Sequence, residues 1–241
     1  MKPRLVTVAH GTRDAEGPRA IRALVRRVAR RLPDVDVVES YVELTDPSFE
    51  SVMASTEGPS VVVPLLLSTG YHVNHDLPES ARRSAFPVVV ARPLGPHPLL
   101  AAAGAMQLRA AGATAGDAVV LVAAGSKDPD ATVDAMTAAR LLRGHWGAPV
   151  RAAFLSGAGP GVPEVVARLR AEGARRVVAS PYLLAPGHFA TRTAALAAVN
   201  GVTTVAGVLG THPLLAELVV RRYVAARLTV LGSSPRRSRV A

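Results

Sequence analysis

The sequence predicts an α/β fold of two similar domains, each a mainly parallel four-stranded sheet flanked by helices. Short apolar runs alternate with helical patterns along the chain, which is typical of strand–helix units that form a parallel sheet. The chain also repeats itself, because residues 95–100 (Gly-Pro-His-Pro-Leu-Leu) return as residues 210–215 (Gly-Thr-His-Pro-Leu-Leu). The offset between the copies is about 115 residues, which is close to the usual size of one domain.

The first copy contains four predicted strands with helices between them. Its first strand is expected from Leu5 to Ala9, and apolar residues then recur at helical spacing from Ile21 to Leu32. Arginines lie on or beside the opposite face of that helix, at positions 19, 22, 26 and 30. The other strands are predicted at 35–44, 60–67 and 86–91, with helices at 48–55 and after residue 97.

The second copy repeats this order. Its strands are predicted near 118–123, 149–155, 176–183 and 202–207, with a last helix from about Leu214 to Leu228. The stretch between the copies, residues 110–117, consists mainly of Ala and Gly and is expected to be a flexible boundary. We therefore predict domains at residues 1–113 and 117–231. The tail, residues 232–241, is rich in Ser, Pro and Arg and is expected to be disordered.

Composition limits the classes of function. The chain has 241 residues, no cysteine and a net charge of +10, so disulfides, thiolate metal sites and cysteine nucleophiles are excluded. No apolar run reaches the roughly 18 residues of a membrane span, and no signal peptide is recognised, so we expect a cytoplasmic protein. A basic chain can bind nucleic acid, but aromatic residues are few and no nucleic-acid-binding motif is present. A small polyanionic substrate fits the charge equally well.

Polar residues follow three predicted strands of the first copy at the point where each strand ends. His10 and Gly11 follow the first strand, Glu43 lies near the end of the second, and residues 68–72 (Ser-Thr-Gly-Tyr-His) follow the third. Ligands of such sheets bind at the carboxyl ends of the strands. We therefore expect these residues to converge on one site at one edge of the sheet.

Two imidazoles and one carboxylate at this edge, His10, His72 and Glu43, make a candidate site for a divalent transition metal. Imidazole suits Fe(II), Co(II), Ni(II) and Zn(II), and the carboxylate adds negative charge. His75 is a rival to His72, although its position just before an Asp-Leu-Pro segment favours a capping or solvent-facing role. The second copy has Ala124 where the first has His10, so this chemistry is predicted for one domain only.

Comparison of the copies assigns the other histidines. His97 and His212 both precede Pro-Leu-Leu, so we interpret them as structural residues at the start of a helix. His188 corresponds to Tyr71 at the equivalent strand end and is expected to line the site. The sequence contains no dinucleotide fingerprint, no phosphate-binding loop and no hydrolase nucleophile elbow.

Three segments of the first copy resemble the sirohydrochlorin chelatases, the small class II metal chelatases that do not use ATP. They are residues 8–14 (Val-Ala-His-Gly-Thr-Arg-Asp), residues 41–48 (Tyr-Val-Glu-Leu-Thr-Asp-Pro-Ser), and residues 61–73 with the Asp-Leu-Pro segment at 76–78. The second half, with Tyr-Leu-Leu-Ala-Pro-Gly at 182–187, resembles the degenerate C-terminal domain of the two-domain members. The resemblance covers nearly the whole chain.

The resemblance implies two chelatase-like domains with a tetrapyrrole in the cleft between them. The family's metal-binding and catalytic residues fall on His10, His72 and Glu43. The implied activity is the insertion of Fe2+ or Co2+ into sirohydrochlorin, for sirohaem or cobalamin synthesis. The metal is then a substrate, and no cofactor is permanently bound. These residues do not separate iron from cobalt, because both metals accept the same ligands, and nickel is a less favoured alternative.

The implied substrate is a polycarboxylate, which a basic protein would attract. The contacts predicted for it lie on loops that follow strands in both copies: Arg13, Ser68, Thr69, Gly70, Tyr71, Lys127 and His188.

The second domain departs from the family pattern at Ala124, Ser156 and Phe189, so it is expected to act as a lid and substrate wall. Because one chain holds both domains, a monomer is favoured over a homodimer. The alternative function is a non-catalytic carrier of a tetrapyrrole or a metal that uses the same cleft. No nucleic-acid or membrane partner is expected.

Overall fold

The first half of the chain alternates strands and helices, as predicted. The computed structural model describes residues 2–70 and 72–232, except the side chains of residues 72, 74, 231 and 232. In chain order the elements of this half are β1 (Arg4–Ala9), α1 (Glu16–Arg31), β2 (Val37–Tyr41), α2 (Phe49–Ala54), β3 (Ser60–Pro64), a π-helical turn (His72–Asp76), α3 (Leu77–Arg82), β4 (Val88–Val90) and α4 (Pro98–Ala110). The strands form one parallel sheet in the order β2-β1-β3-β4.

The second half repeats the pattern around a second parallel sheet, in the order β6-β5-β7. Its elements are β5 (Ala118–Ala123), α5 (Pro129–Trp146), β6 (Val150–Phe154), α6 (Val162–Ala171), β7 (Val177–Tyr182), α7 (His188–Val199) and α8 (Pro213–Gly232). The predicted α/β class with two parallel sheets is confirmed. Among the described residues, no helix is both long and apolar enough to cross a membrane.

The fourth strand predicted for the second sheet, at residues 202–207, is wrong in extent. The segment makes a single parallel bridge between Ala179 and Val205. Around it, Ala179 N–H donates to Thr204 O (2.9 Å) and Ala206 N–H donates to Ala179 O (2.8 Å). Gly201 precedes the segment and Gly207 ends it, and glycine weakens a strand because it offers no side chain to pack. The second sheet therefore has three strands where the first has four.

Burial explains why the apolar runs form strands. Every residue of β3 and β5 is buried, as expected for strands covered by helices on both faces of a parallel sheet. In α1, Ile21, Leu24 and Val28 face the core, and the arginines at positions 19, 22, 26 and 30 are exposed. The amphipathic helix predicted for this segment is confirmed.

The last helix of each half packs against the other half. α4 lies over α5 and β7, because a Cβ placed at Gly104 would lie 3.7 Å from Leu142 Cδ1 and 3.8 Å from Ser180 Oγ. In the opposite direction, the buried Tyr223 hydroxyl of α8 donates to Pro3 O (2.7 Å), just before β1. One hydrophobic core therefore runs through both halves. The domain division at residues 113–117 stays a prediction, and neither half alone would keep its whole core.

His97 and His212 cap α4 and α8, the two helices that pack against the opposite half, which confirms the structural role predicted for these histidines. His97 Nδ1 accepts a hydrogen bond from Leu99 N–H (3.1 Å), and His212 Nδ1 accepts one from Leu214 N–H (3.2 Å). The first N–H groups of a helix have no partner within it, so each imidazole satisfies one of them. α8 runs on to Gly232, past the predicted end at 228. The rest of the tail predicted to be disordered, 233–241, lies outside the described residues.

These caps predict that the protein loses stability in mild acid. Burial lowers the pKa of His97, with Arg222 and Arg221 lowering it further, and burial together with Arg27 lowers the pKa of His212. The unfolded chain therefore binds protons first, so this stabilisation is complete above the unfolded-state pKa of about 6.5 and is lost as the pH falls below it.

We expect the melting temperature to fall as the pH is lowered through this range, and to fall less in the His97→Asn/His212→Asn double variant. Asparagine keeps a capping oxygen but does not titrate. Thermal melts of both proteins across the pH range measure the difference. Equal losses in the two proteins would contradict a contribution from these imidazoles.

The buried Tyr223 hydroxyl gives a test of how α8 is held against the first half. Tyr223→Phe leaves the Pro3 carbonyl without its donor, so we expect the free energy of unfolding to fall by about 1–2 kcal/mol. Urea denaturation compares the variant with the wild type. An unchanged midpoint and slope would show that this hydrogen bond does not help to hold α8 against the first sheet.

Candidate functional site

A cleft of about 570 Å³ lies at the carboxyl ends of the two sheets. The loops after β1 and β3 line one side, and the loops after β5 and β7 line the other. The two halves approach each other at two places: a Cβ placed at Gly17, in the first turn of α1, would lie 3.2 Å from Pro186 O, and one at Gly70 would lie 3.8 Å from Ser126 Oγ. Most of the lining is apolar and includes Ile21, Leu44, Leu66, Leu67, Val73 and Leu184.

His10 and Glu43 meet at this cleft, as their positions at neighbouring strand ends predicted. His10 Nε2 lies 3.4 Å from Glu43 Oε1, and the two side chains are 47% and 49% exposed. His10 follows β1 and lines the cleft, and Glu43 follows β2. An imidazole nitrogen and a carboxylate oxygen at this distance can bind the same divalent cation while staying open to solvent.

Backbone contacts fix the pair. Glu43 N–H donates to His10 O (3.0 Å), so the two loops continue the β1–β2 ladder by one step. Gly11 has a φ of +98°, and a Cβ there would lie 1.7 Å from Glu43 O, so only glycine allows this approach. Beyond Gly11, the two loops are joined again, because Thr45 Oγ1 donates to Thr12 O (3.1 Å) and accepts from Thr12 N–H (3.2 Å).

The same geometry recurs in the second half without the imidazole and the carboxylate. Ala9 pairs with Tyr41 in the first sheet, and Ala123 pairs with Phe154 in the second. By this register Ala124 takes the place of His10, and Ser156 takes the place of Glu43. Ser156 Oγ donates to Ala124 O (2.7 Å), so the second copy uses its polar group to join the two loops. The predicted asymmetry of the halves is therefore present in the fold.

The loop after β3 is anchored by the second half. Thr69 lines the cleft, and both its N–H and its Oγ1 donate to Asp134 Oδ2 of α5, each at 2.7 Å. The buried Tyr182 hydroxyl, from the end of β7, donates to Leu67 O (2.9 Å). Burial raises the pKa of Tyr182, and the carboxylate of Asp134 raises it further, so the hydroxyl keeps the proton that it donates.

The third predicted metal ligand, His72, is only partly described. Its backbone begins the π-helical turn, a local structure that is frequent at functional sites, but its side chain and all of Tyr71 lie outside the described residues. The rival His75 is exposed. Within the part of the chain that the structure describes, no three His, Cys, Asp or Glu side chains group closely enough to hold a metal. The described part of the predicted metal site is the His10–Glu43 pair.

The predicted substrate contacts divide into two groups. Ser68, Thr69, Gly70 and His188 line the cleft. Arg13 and Lys127 are exposed on the loops after β1 and β5 and lie outside the cleft lining, but each directly follows a lining residue, Thr12 or Ser126. The ring of His188, the first residue of α7, packs edge-on against Phe189 with 5.5 Å between ring centroids.

Sequence reasoning missed the anchoring roles of Asp134 and Tyr182. Asp134 lies within a long helix among other charged residues, and nothing in its spacing indicates a partner 65 positions away. The role of Tyr182 could have been found by comparing the two copies, because the strand register aligns Tyr182 with Leu65, which has no hydroxyl. A hydroxyl that is present in only one copy marks an interaction that the other copy lacks.

Comparison with known proteins identifies the family of this chain. The CbiX family model matches residues 4–111 and 118–226. The chain is 31% identical over 201 residues to the sirohydrochlorin ferrochelatase of Bacillus subtilis, covering 78% of this chain and 76% of that protein. It is 25% identical over 114 residues to the sirohydrochlorin cobaltochelatase of Methanococcoides burtonii, covering 40% of this chain and 87% of the relative.

Among solved structures, SirB from Bacillus subtilis with Fe3+ superposes with a TM-score of 0.79 at 26% identity, covering 97% of this chain and 98% of SirB. The match extends through both halves, including the exchanged helices. This chain belongs to the CbiX family of sirohydrochlorin chelatases, as its sequence predicted.

Proposed function

We propose that this protein inserts a divalent metal ion, Fe2+ or Co2+, into sirohydrochlorin. The observation that carries the proposal is the His10–Glu43 pair, 3.4 Å apart, beside an apolar cleft between the two halves. The names of the relatives support it, because they are sirohydrochlorin ferrochelatases and a sirohydrochlorin cobaltochelatase. The metal is a substrate in this reaction.

His10, Glu43 and His72 are the proposed metal ligands and catalytic residues. Insertion requires the ion to lose its bound water and the macrocycle to lose its pyrrole N–H protons. Imidazole and carboxylate replace the water ligands, and the imidazoles of His10 and His72 each accept one of the two ring protons once the metal has left them. A site that is half exposed and has few protein ligands releases its ion more readily than a closed four-ligand structural site.

The cleft supports binding of the macrocycle. Its volume of about 570 Å³ lies within the range of small-molecule sites, and its apolar lining suits the faces of a flat ring. We propose that Ser68, Thr69, Gly70, Tyr71 and His188 contact the substrate within the cleft. Arg13 and Lys127, each next to a lining residue, are proposed to bind its peripheral carboxylates, helped by the net charge of +10.

The two halves have different proposed roles. The first half, residues 1–113, holds the metal, and the second, residues 117–231, forms a wall of the cleft and anchors the loop after β3 through Asp134 and Tyr182. Because one chain supplies both walls, we propose a monomer. We also propose that the protein acts in the cytoplasm and has no resident cofactor.

His10→Ala tests the catalytic assignment. The variant loses a metal ligand and a proton acceptor, so we expect metal insertion to slow by at least about 100-fold, while binding of metal-free sirohydrochlorin is retained. Anaerobic absorbance spectroscopy of sirohydrochlorin with Fe2+ or Co2+ measures both. His145→Ala is a matched control, because His145 is exposed on α5 and does not line the cleft.

Glu43→Ser completes the test, because it gives the first half the residue that the second half has at this position. We expect weaker metal binding and slower insertion with little change in fold. A wild-type protein that binds the pigment but only matches the spontaneous insertion rate would overturn the chelatase assignment and favour a carrier. If the wild type is active, the ratio of its iron and cobalt rates distinguishes the two metals.

The Asp134 anchor predicts a second kind of effect. Asp134→Ala removes a carboxylate that accepts two hydrogen bonds from Thr69, and bonds to a charged group contribute about 1.5–3 kcal/mol each. The loop that carries Ser68 to His72 should become mobile, so we expect kcat to fall by about tenfold or more with a smaller change in pigment affinity.

Thr69→Val provides the matched comparison, because it removes the Oγ1 donor and keeps the backbone N–H. It should give an intermediate loss of kcat. Steady-state kinetics and thermal melts of both variants separate loop positioning from global stability. Wild-type turnover in Asp134→Ala would show that the anchor does not position the catalytic loop.

A further inference from the structure

Leu44 has a backbone conformation that leucine rarely adopts. Among the described residues it is the only one other than glycine with a positive φ, at 63°. In this left-handed region the Cβ of an L-residue lies too close to the backbone carbonyl, so the conformation costs free energy for leucine but not for glycine. A strained residue of this kind persists only where its surroundings hold it.

The residues on either side hold Leu44 in place. Before it, Glu43 N–H donates to His10 O (3.0 Å). After it, Thr45 exchanges two hydrogen bonds with Thr12 through its hydroxyl. Leu44 is therefore fixed between two contacts to the loop after β1, and its conformation belongs to the site that carries His10 and Glu43.

The second copy shows that the fold does not require leucine here. The register that aligns Ser156 with Glu43 aligns Gly157 with Leu44, and Gly157 has a φ of 76°. The turn is thus the same in both halves. The half without the metal-binding pair uses the unstrained residue, and the half with the pair uses a strained one.

Burial within the protein does not explain the choice of leucine. Leu44 is 51% exposed, so its side chain gains only part of the stabilisation of a core leucine. The exposed side chain lines the cleft and directly follows Glu43 in the chain. An apolar group held at this position gains most when an apolar ligand covers it.

We propose that Leu44 is a substrate-contact residue whose side chain packs against the flat apolar face of the tetrapyrrole, next to the metal-binding pair. This inference rests on the proposed function. Leu44 then contributes to the affinity for sirohydrochlorin and helps to exclude water beside Glu43. Its strained backbone lowers the stability of the unliganded protein.

Four variants separate the backbone from the side chain. Leu44→Gly and Leu44→Ala both remove the side chain, but only glycine suits the positive φ. Leu44→Met keeps an apolar side chain of similar volume. Met106→Ala is the matched control, because Met106 is 52% exposed on α4 and does not line the cleft. The measurements are the melting temperature and the anaerobic dissociation constant for metal-free sirohydrochlorin.

The melting temperature should depend on how well the new residue adopts the positive φ, and the affinity for sirohydrochlorin should depend on whether an apolar side chain is present. We expect Leu44→Gly to melt about 2–4 °C above Leu44→Ala, the reverse of the order at an ordinary position. We expect both variants to bind sirohydrochlorin about tenfold more weakly than the wild type, with Leu44→Met and Met106→Ala within about twofold of the wild type.

The outcomes that overturn the inference are distinct from those that overturn the proposed function. Wild-type affinity in both Leu44→Gly and Leu44→Ala would show that Leu44 does not contact the pigment, although the protein is still a chelatase. An alanine variant that melts above the glycine variant would remove the strain on which the inference depends. Failure of the wild type itself to bind sirohydrochlorin would overturn both proposals.

Discussion

Each half packs its last helix against the other half, and the rest of the structure depends on this exchange of terminal helices. α4 leaves the first sheet and packs over β7, and α8 returns to the first sheet, where Tyr223 is fully buried. The two sheets consequently share one core, and their carboxyl edges are held face to face. Because separating the halves would expose that core, the width of the cleft is set by packing. Adjustment to a ligand is then left to the loops that line the cleft.

Within this frame the two halves have kept one backbone and diverged in chemistry. Gly11 and Gly125 make the same close approach to the loop beside them, at Glu43 O in one half and at Ser156 O in the other. The first half places an imidazole and a carboxylate on that turn, while the second half closes it with a serine hydroxyl. The second half instead supplies Asp134 as an anchor for the loop opposite. One backbone scaffold therefore carries two different sets of polar side chains.

Much of this was predictable from the sequence, for identifiable reasons. Parallel strands are buried on both faces, so runs such as 118–123 stand out as apolar, and the carboxyl ends of neighbouring strands meet whatever the side chains are. That rule alone predicted that His10 and Glu43 lie close together. The helix exchange was not predictable, because α4 is apolar enough to pack on either sheet. The left-handed turn at Leu44 was not predictable, because sequence patterns indicate glycine for such a conformation. The fourth strand predicted for the second sheet is reduced to a single bridge, because Gly201 and Gly207 weaken pairing at its two ends.

The exposure of the His10–Glu43 pair suits the role proposed for it, because a site that inserts a metal must also release that metal. A buried pair of this kind would hold its ion in a low-dielectric surrounding, where ligand and charge interactions are strong and release is slow. Here both side chains are about half exposed, so an ion can arrive with part of its water shell. The apolar cleft begins beside them, so a flat apolar ligand that fills it displaces water from one side of the ion. In the proposed reaction, loss of that water would strengthen the competition of the ring nitrogens for the metal, so the ion would be held loosely on arrival and dehydrated only when its acceptor is in place.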